Sequence, residues 1–236
     1  MVTTPSTTVD DQPVGETGTQ TRVMLRPIAT PLSLGFLVLA VASFVASGLE
    51  LRWVDPVTSS TTIGLVLLAF AVPLQLMSAI FGFLARDAVA ATGIGILAGS
   101  WLAVGAATYT GLPGATDPAV GLLLLGSGTA LVVPAVAGLS SKLSAAAVLG
   151  GAAVRFWLTG AYEMTGTTGW RVAAGICGLV LAVIAVYAAT AFELESTQRR
   201  SVLPTGRRGR GWTAFTGSFA DEIDGVQQEP GVRQQL

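Results

Sequence analysis

The chain has 236 residues, 51% of them hydrophobic and only 11% charged, whereas soluble domains carry roughly 25% charged residues. Its formal net charge of −1 speaks against nucleic acid as a partner. With no His and a single Cys, Cys177, the chain offers no His or Cys metal set, and no cofactor is expected.

Polar residues gather at the two ends. Residues 1–27 are Thr-rich and acidic, lack the basic-then-apolar order of a secretory signal, and read as a disordered cytoplasmic tail. Residues 28–193 read as one all-α transmembrane domain, a six-helix bundle, because apolar runs of about twenty residues match a ~30 Å hydrocarbon core. Residues 194–236 read as a second disordered cytoplasmic tail, basic first and acidic later.

The first span is expected over Ala29 to Leu49, opening at Pro31, where a proline costs no internal hydrogen bond. Glu50, Arg52, Trp53 and Asp55 follow as a polar interfacial loop ending at Pro56. The second span, Ile63 to Leu84, contains Pro73, which predicts a bend. The third, Ala88 to Thr108, places Gly95, Gly99, Ala103 and Ala107 on one smooth face suited to close approach of a neighbour. A turn-rich stretch over 111–118 leads to the fourth, Ala119 to Leu139, with Pro134 inside it. The fifth is Ala145 to Met164 and the sixth Trp170 to Phe192.

Orientation follows from the basic residues near span ends. Nine lie on the side of the termini (Arg22, Arg26, Arg86, Lys142, Arg199, Arg200, Arg207, Arg208 and Arg210) against Arg52 and Arg171 on the other. Both termini are therefore expected in the cytoplasm, with the protein integral to the plasma membrane.

Arg155 stands out because it sits midway along an apolar span. Burial of a guanidinium there costs ~2.5 to 3.5 kcal/mol on insertion scales, so it needs a partner or a purpose. Thr159 at i+4 and Tyr162 at i+7 share its helix face, and Gly151 at i−4 leaves room beside it. Two readings stand side by side: an anion site in a polar path, or a structural arginine donating to backbone carbonyls, to Gln75, or to a carboxylate at a span end. Gln75, two residues past Pro73, either bonds backbone freed by that proline or contacts substrate. Glu50, Glu163 and Glu193 at span ends read chiefly as interfacial anchors, with a proton-coupling role open to one of them.

Several segments, in order and spacing, resemble the acetate and succinate transporter family of the SatP type. They are Pro31-Leu32-Ser33-Leu34-Gly35, similar to the latter part of an Asn-Pro-Ala-Pro-Leu-Gly-Leu signature; Gln75; Phe81 through Asp87; Ser100-Trp101; Arg155-Phe156; Gly169-Trp170; and Ala185 through Ala191. The resemblance implies a six-helix protein that moves a small monocarboxylate such as acetate, coupled to protons, and that assembles as a homo-hexamer. It also puts Pro31 and Leu32 on the substrate path. Ile28, Ala29, Thr30 and Ser33 depart from the signature, and Leu97 stands where a Tyr is expected, so a different substrate, or none, is the corollary.

The function read here is thus a transporter or channel for a small carboxylate, with Arg155, Thr159, Tyr162, Gln75, Pro31 and Leu32 as substrate contacts and the bilayer as its surroundings. The alternative is a non-transporting scaffold or partner-binding subunit working through the tail from Ser196 onward. An enzyme is not expected, since no nucleophile with its base and no metal set is in view.

Overall fold

The computed structural model describes residues 29–198, 200–209, 211–212 and 216–217. The N-terminal tail, Arg199, Arg210 and most of the chain beyond residue 212 lie outside the described residues. Among the described residues six helices are long and apolar enough to cross a membrane: α1 (Leu32–Glu50), α2 (Pro56–Leu84), α3 (Ala88–Thr110), α4 (Pro118–Gly138), α5 (Leu143–Thr165) and α6 (Thr168–Gln198). Turns of a few residues join α1 to α2, α2 to α3, α4 to α5 and α5 to α6, so successive helices run antiparallel. Helices α1, α3 and α5 start at the end of the bundle that carries the termini, called here the terminal end; α2, α4 and α6 start at the far end.

Local chemistry sets the boundaries. Asp55, Asp87 and Asp117 each accept a backbone N–H of the helix that follows, and Pro56 and Pro118 occupy first-turn positions where no N–H is needed. The second helix therefore begins seven residues ahead of the expected Ile63, as the Thr and Ser residues after Pro56 are helical. Within α2 the segment Leu67–Ala71 is a π-helical turn. It lies just before Pro73, whose ring cannot fit an unperturbed α-helix, so the wider turn accommodates the proline.

Each helix packs mainly on its neighbours in chain order, and α6 closes back onto α1. The result is a closed ring of six helices. Its outer face carries Leu37, Phe44, Leu76, Ile80, Leu122, Val133, Ile176, Val180 and Val183, all exposed, which is the surface a hydrocarbon solvent requires. Buried polar side chains point the other way: Ser33, Ser43, Ser47, Gln75, Ser78, Ser100 and Arg155 are all inside.

The boundary at Glu193 is corrected. Helix α6 runs to Gln198, and residues after it fold back onto the terminal end instead of beginning a disordered tail. Leu143 and Ser144 donate backbone N–H groups to the carbonyls of Gly206 and Thr205, and Arg208 donates to Ser141. Tyr187 donates its hydroxyl to the Pro204 carbonyl at 3.1 Å. The buried Glu195 meets Arg207 Nε at 2.5 Å. Residues 200–209, which read as tail, are thus a strap bound by hydrogen bonds and an ion pair.

Candidate functional site

Arg155 starts midway along α5 and is 2% exposed. Its guanidinium reaches toward the far end, into the space beside Gly178 of α6. A Cβ at Gly178 would fall 1.2 Å from Arg155 Nη1 and 2.2 Å from Ser47 Oγ, so only glycine admits the side chain here. Gly151 does not make that room; a Cβ there would meet Leu181.

Three elements then satisfy the charge. Nη1 donates to Ser47 Oγ at 2.9 Å and to the Ala174 carbonyl at 3.3 Å. Nη2 donates to Glu50 Oε2 at 3.2 Å, closing an ion pair between α5 and the last turn of α1. The second Glu50 oxygen accepts from Thr159 Oγ1 at 3.3 Å, and Arg171 donates to the Glu50 backbone carbonyl. The Arg155 guanidinium also lies 5.8 Å from the Trp101 ring centre, within cation–π range. A cation that would be costly alone is thereby held by a carboxylate, a hydroxyl, a carbonyl and an aromatic face.

Glu50 is corrected from interfacial anchor to buried partner, with its side chain 12% exposed. Of the two readings of Arg155, pairing with a carboxylate at a span end is realised, and the same arrangement forms a two-point carboxylate cradle. Arg155 offers one donor and Thr159 the other.

The cradle opens onto a cavity of about 390 Å³ at the far end. Glu50 and Thr159 form part of its wall, with Tyr162 and Glu163 of α5, Arg171 of α6, Arg52, Asp117, and Leu67 and Leu124 at apolar positions. Tyr162 thus faces the cavity. Glu163 accepts the Asp117 backbone N–H at 2.7 Å, tying the long α3–α4 loop to the cavity rim.

Gln75, Pro31 and Leu32 do not join this cluster. Gln75 is 0% exposed and its Nε2 lies 3.5 Å from the Gly35 carbonyl on the first turn of α1. Ser78, one turn further along α2, donates to the Pro31 carbonyl at 2.7 Å, and Leu32 is buried alongside. Gly35 and Ser47 are twelve residues apart on α1, about 18 Å at the helical rise. The sequence-predicted residues therefore form two polar groups at different depths, with Phe36, Leu39, Leu97 and Phe156 buried among the core residues.

Among the described residues, Ser33 Oγ, Ser43 Oγ, Gln75 Oε1 and Trp101 Nε1 are buried without a hydrogen-bond partner. Such groups are rare in native interiors. They fall at several depths between Ser33 and Ser47 of α1, which makes the middle of the ring a place where a polar molecule could find partners.

Sequence reasoning missed Ser47 and Gly178 as parts of the cluster, and left open which span-end carboxylate, Glu50, Glu163 or Glu193, would pair with Arg155. A helical wheel carries a signal for Glu50 and Ser47, which share a face of α1 three residues apart. Gly178 has no comparable signal.

Residues 15–206 match the family model described as the GPR1/FUN34/yaaH family. The solved structure described as the bacterial acetate channel SatP superposes with a TM-score of 0.67 at 19% identity, covering 76% of this chain and 100% of that one. That likeness is one of fold. No curated protein matches the chain in sequence.

Proposed function

The chain belongs to the GPR1/FUN34/yaaH family, and from that premise we propose that it is a membrane channel or transporter for a small monocarboxylate such as acetate, moved together with protons through the interior of the helix ring. The observation that carries this reading is the far-end cavity whose wall includes Glu50 and Thr159, with Arg155 buried behind Glu50. Arg155 is the fixed cation, able to hold carboxylate oxygens without losing its own proton. Thr159 supplies a neutral donor, and Tyr162 lines the approach. At the other depth, Gln75 with the backbone near Pro31 and Leu32 forms a second polar station on the path.

Convergence of Arg155, Glu50, Thr159 and Ser47 at one depth supports transport over a scaffold role, since a scaffold needs only a dry interior. The termini lie in the cytoplasm of a cell whose plasma membrane holds the protein, in keeping with the nine-to-two distribution of basic residues. The protein forms a homo-oligomer, a hexamer by family resemblance, with Gly99 on the contact face. Gly99 is exposed, and a Cβ there would meet nothing within 4 Å.

The test is uptake of labelled acetate into proteoliposomes with and without an imposed pH gradient. Uptake above that of empty liposomes, increased by acid on the side of addition, is the expected outcome. Uptake equal to that of empty liposomes for acetate and the other short carboxylates contradicts it.

A further inference from the structure

We propose that Glu50 is a tethered stand-in for the transported anion, occupying the cradle between Arg155 and Thr159 until a proton neutralises it and a free carboxylate takes its place. This rests on the transport reading above and adds the residue that links anion to proton. Three observations carry it. Each Glu50 oxygen takes one donor, Oε2 from Arg155 and Oε1 from Thr159, the pattern a bound acetate would adopt. Glu50 and Thr159 both line the cavity from which a free anion arrives. Lastly, Glu50 ends α1, so its side chain can swing into the cavity while its backbone carbonyl stays held by Arg171.

Charge balance supplies the coupling. Arg155 with ionised Glu50 is a neutral pair inside the ring. Adding an anion to that pair would bury an uncompensated negative charge, which a low-dielectric interior disfavours strongly. Protonated Glu50 plus an anion on Arg155 is neutral again. A hydronium ion in the cavity gives its proton to a Glu50 oxygen and is left as water, the Arg155 hydrogen bond passes to the incoming carboxylate, and the only covalent change is that one O–H bond breaks as the other forms. One proton therefore accompanies each anion.

The other charged and titratable groups around Glu50 are Tyr162 and Glu163 from α5, Arg171 and Cys177 from α6, Arg52 after α1, and Asp117 before α4. Helices α2, α3 and α4 line the cavity with neutral side chains. Arg155, with the Thr159 hydroxyl, is the group that bonds the Glu50 carboxylate oxygens.

The experiment is acetate binding to the purified full-length protein in detergent, by titration calorimetry, from about pH 6 to about pH 8, where acetate itself is ionised. Wild-type affinity should fall about tenfold per pH unit, as for one linked proton. Glu50→Gln, whose side chain is permanently neutral, should bind acetate with the same affinity across the range. A Glu50→Gln protein that keeps the wild-type slope, or a wild type with no slope, overturns the proposal. If Glu50→Gln does not fold, infrared difference spectra of the wild type with isotope-labelled acetate decide. A protonated carboxyl band unshifted by the label places the proton on the protein, as expected; one that shifts places it on the acetate and overturns the proposal. Wild-type uptake in liposomes tests the transport reading separately, since binding with this slope and no uptake would keep the Glu50 site and remove transport.

Discussion

Among the described residues three ion pairs close the two ends of the ring, and they differ in what lies beside them. At the terminal end Glu195 meets Arg207 under the strap formed by residues 200–209, and Asp87 meets Lys142 on the neighbouring turn. At the far end Arg155 meets Glu50, which lines a cavity. Both arrangements join residues distant in sequence and both cost desolvation, which Coulomb attraction offsets only with good hydrogen bonding. The Glu195–Arg207 pair uses that attraction to dock a segment. The far pair joins α1 and α5, which touch each other little and are each packed on α6, and its carboxylate faces a cavity.

The largest effect that could break this comparison is at Arg155 itself. Arg155→Leu leaves Glu50 buried without its cation, and the expected loss is about 3–5 kcal/mol of stability. An unpaired guanidinium at that depth would make its removal favourable to insertion; the Glu50 partner reverses that sign. Replacing both members by Leu should restore most of the loss, as measured by thermal unfolding in detergent. A single variant as stable as wild type would mean that Glu50 does not depend on Arg155.

Next comes Gly178→Val. Its added Cβ occupies the place of Arg155 Nη1, so the guanidinium must leave the cradle. Overpacking of this kind costs about 1–3 kcal/mol, and acetate affinity should fall by about tenfold, the equivalent of ~1.4 kcal/mol. Retained affinity in calorimetry would show that the cradle tolerates a displaced arginine.

At the terminal end a change of similar size is expected. Arg207→Ala takes the cation from the buried Glu195 and should cost about 1–3 kcal/mol, loosening the strap while uptake per folded molecule stays at the wild-type level. Limited proteolysis of the strap reports the first effect and liposome uptake the second. Loss of uptake in a folded Arg207→Ala protein would erase the division of labour between the two ends.

Smallest of all is the effect of Gly99→Leu on the protomer. With open space at that position, stability should change by no more than about 0.5 kcal/mol. Native mass measurement should nevertheless find a smaller assembly. An unchanged assembly would take Gly99 out of the subunit contact.

The number of spans was legible because about twenty apolar residues in a row have few alternatives, and Arg155 was legible because it interrupts such a run. What hydropathy hides is partnership between helices. Glu50 looks like an interfacial carboxylate from its place at a span end, yet α6 and α5 converge on that turn of α1. Thr159 was placed correctly by helical periodicity, whereas Gln75 shares neither helix nor depth with Arg155. Helix α6 outran its expected end because Glu193, Glu195 and Gln198 read as solvent-facing, while Glu195 has its partner 12 residues on, in a fold-back that composition does not encode.

The most direct test of the central claim, that Arg155 holds the transported anion, is acetate uptake by proteoliposomes containing the Arg155→Leu, Glu50→Leu double variant, chosen because it removes the cation without leaving a charge unpaired. The expected result is a folded protein that has recovered most of the stability lost in Arg155→Leu, with uptake no greater than that of empty liposomes. Uptake at the wild-type rate from that folded double variant would contradict the claim.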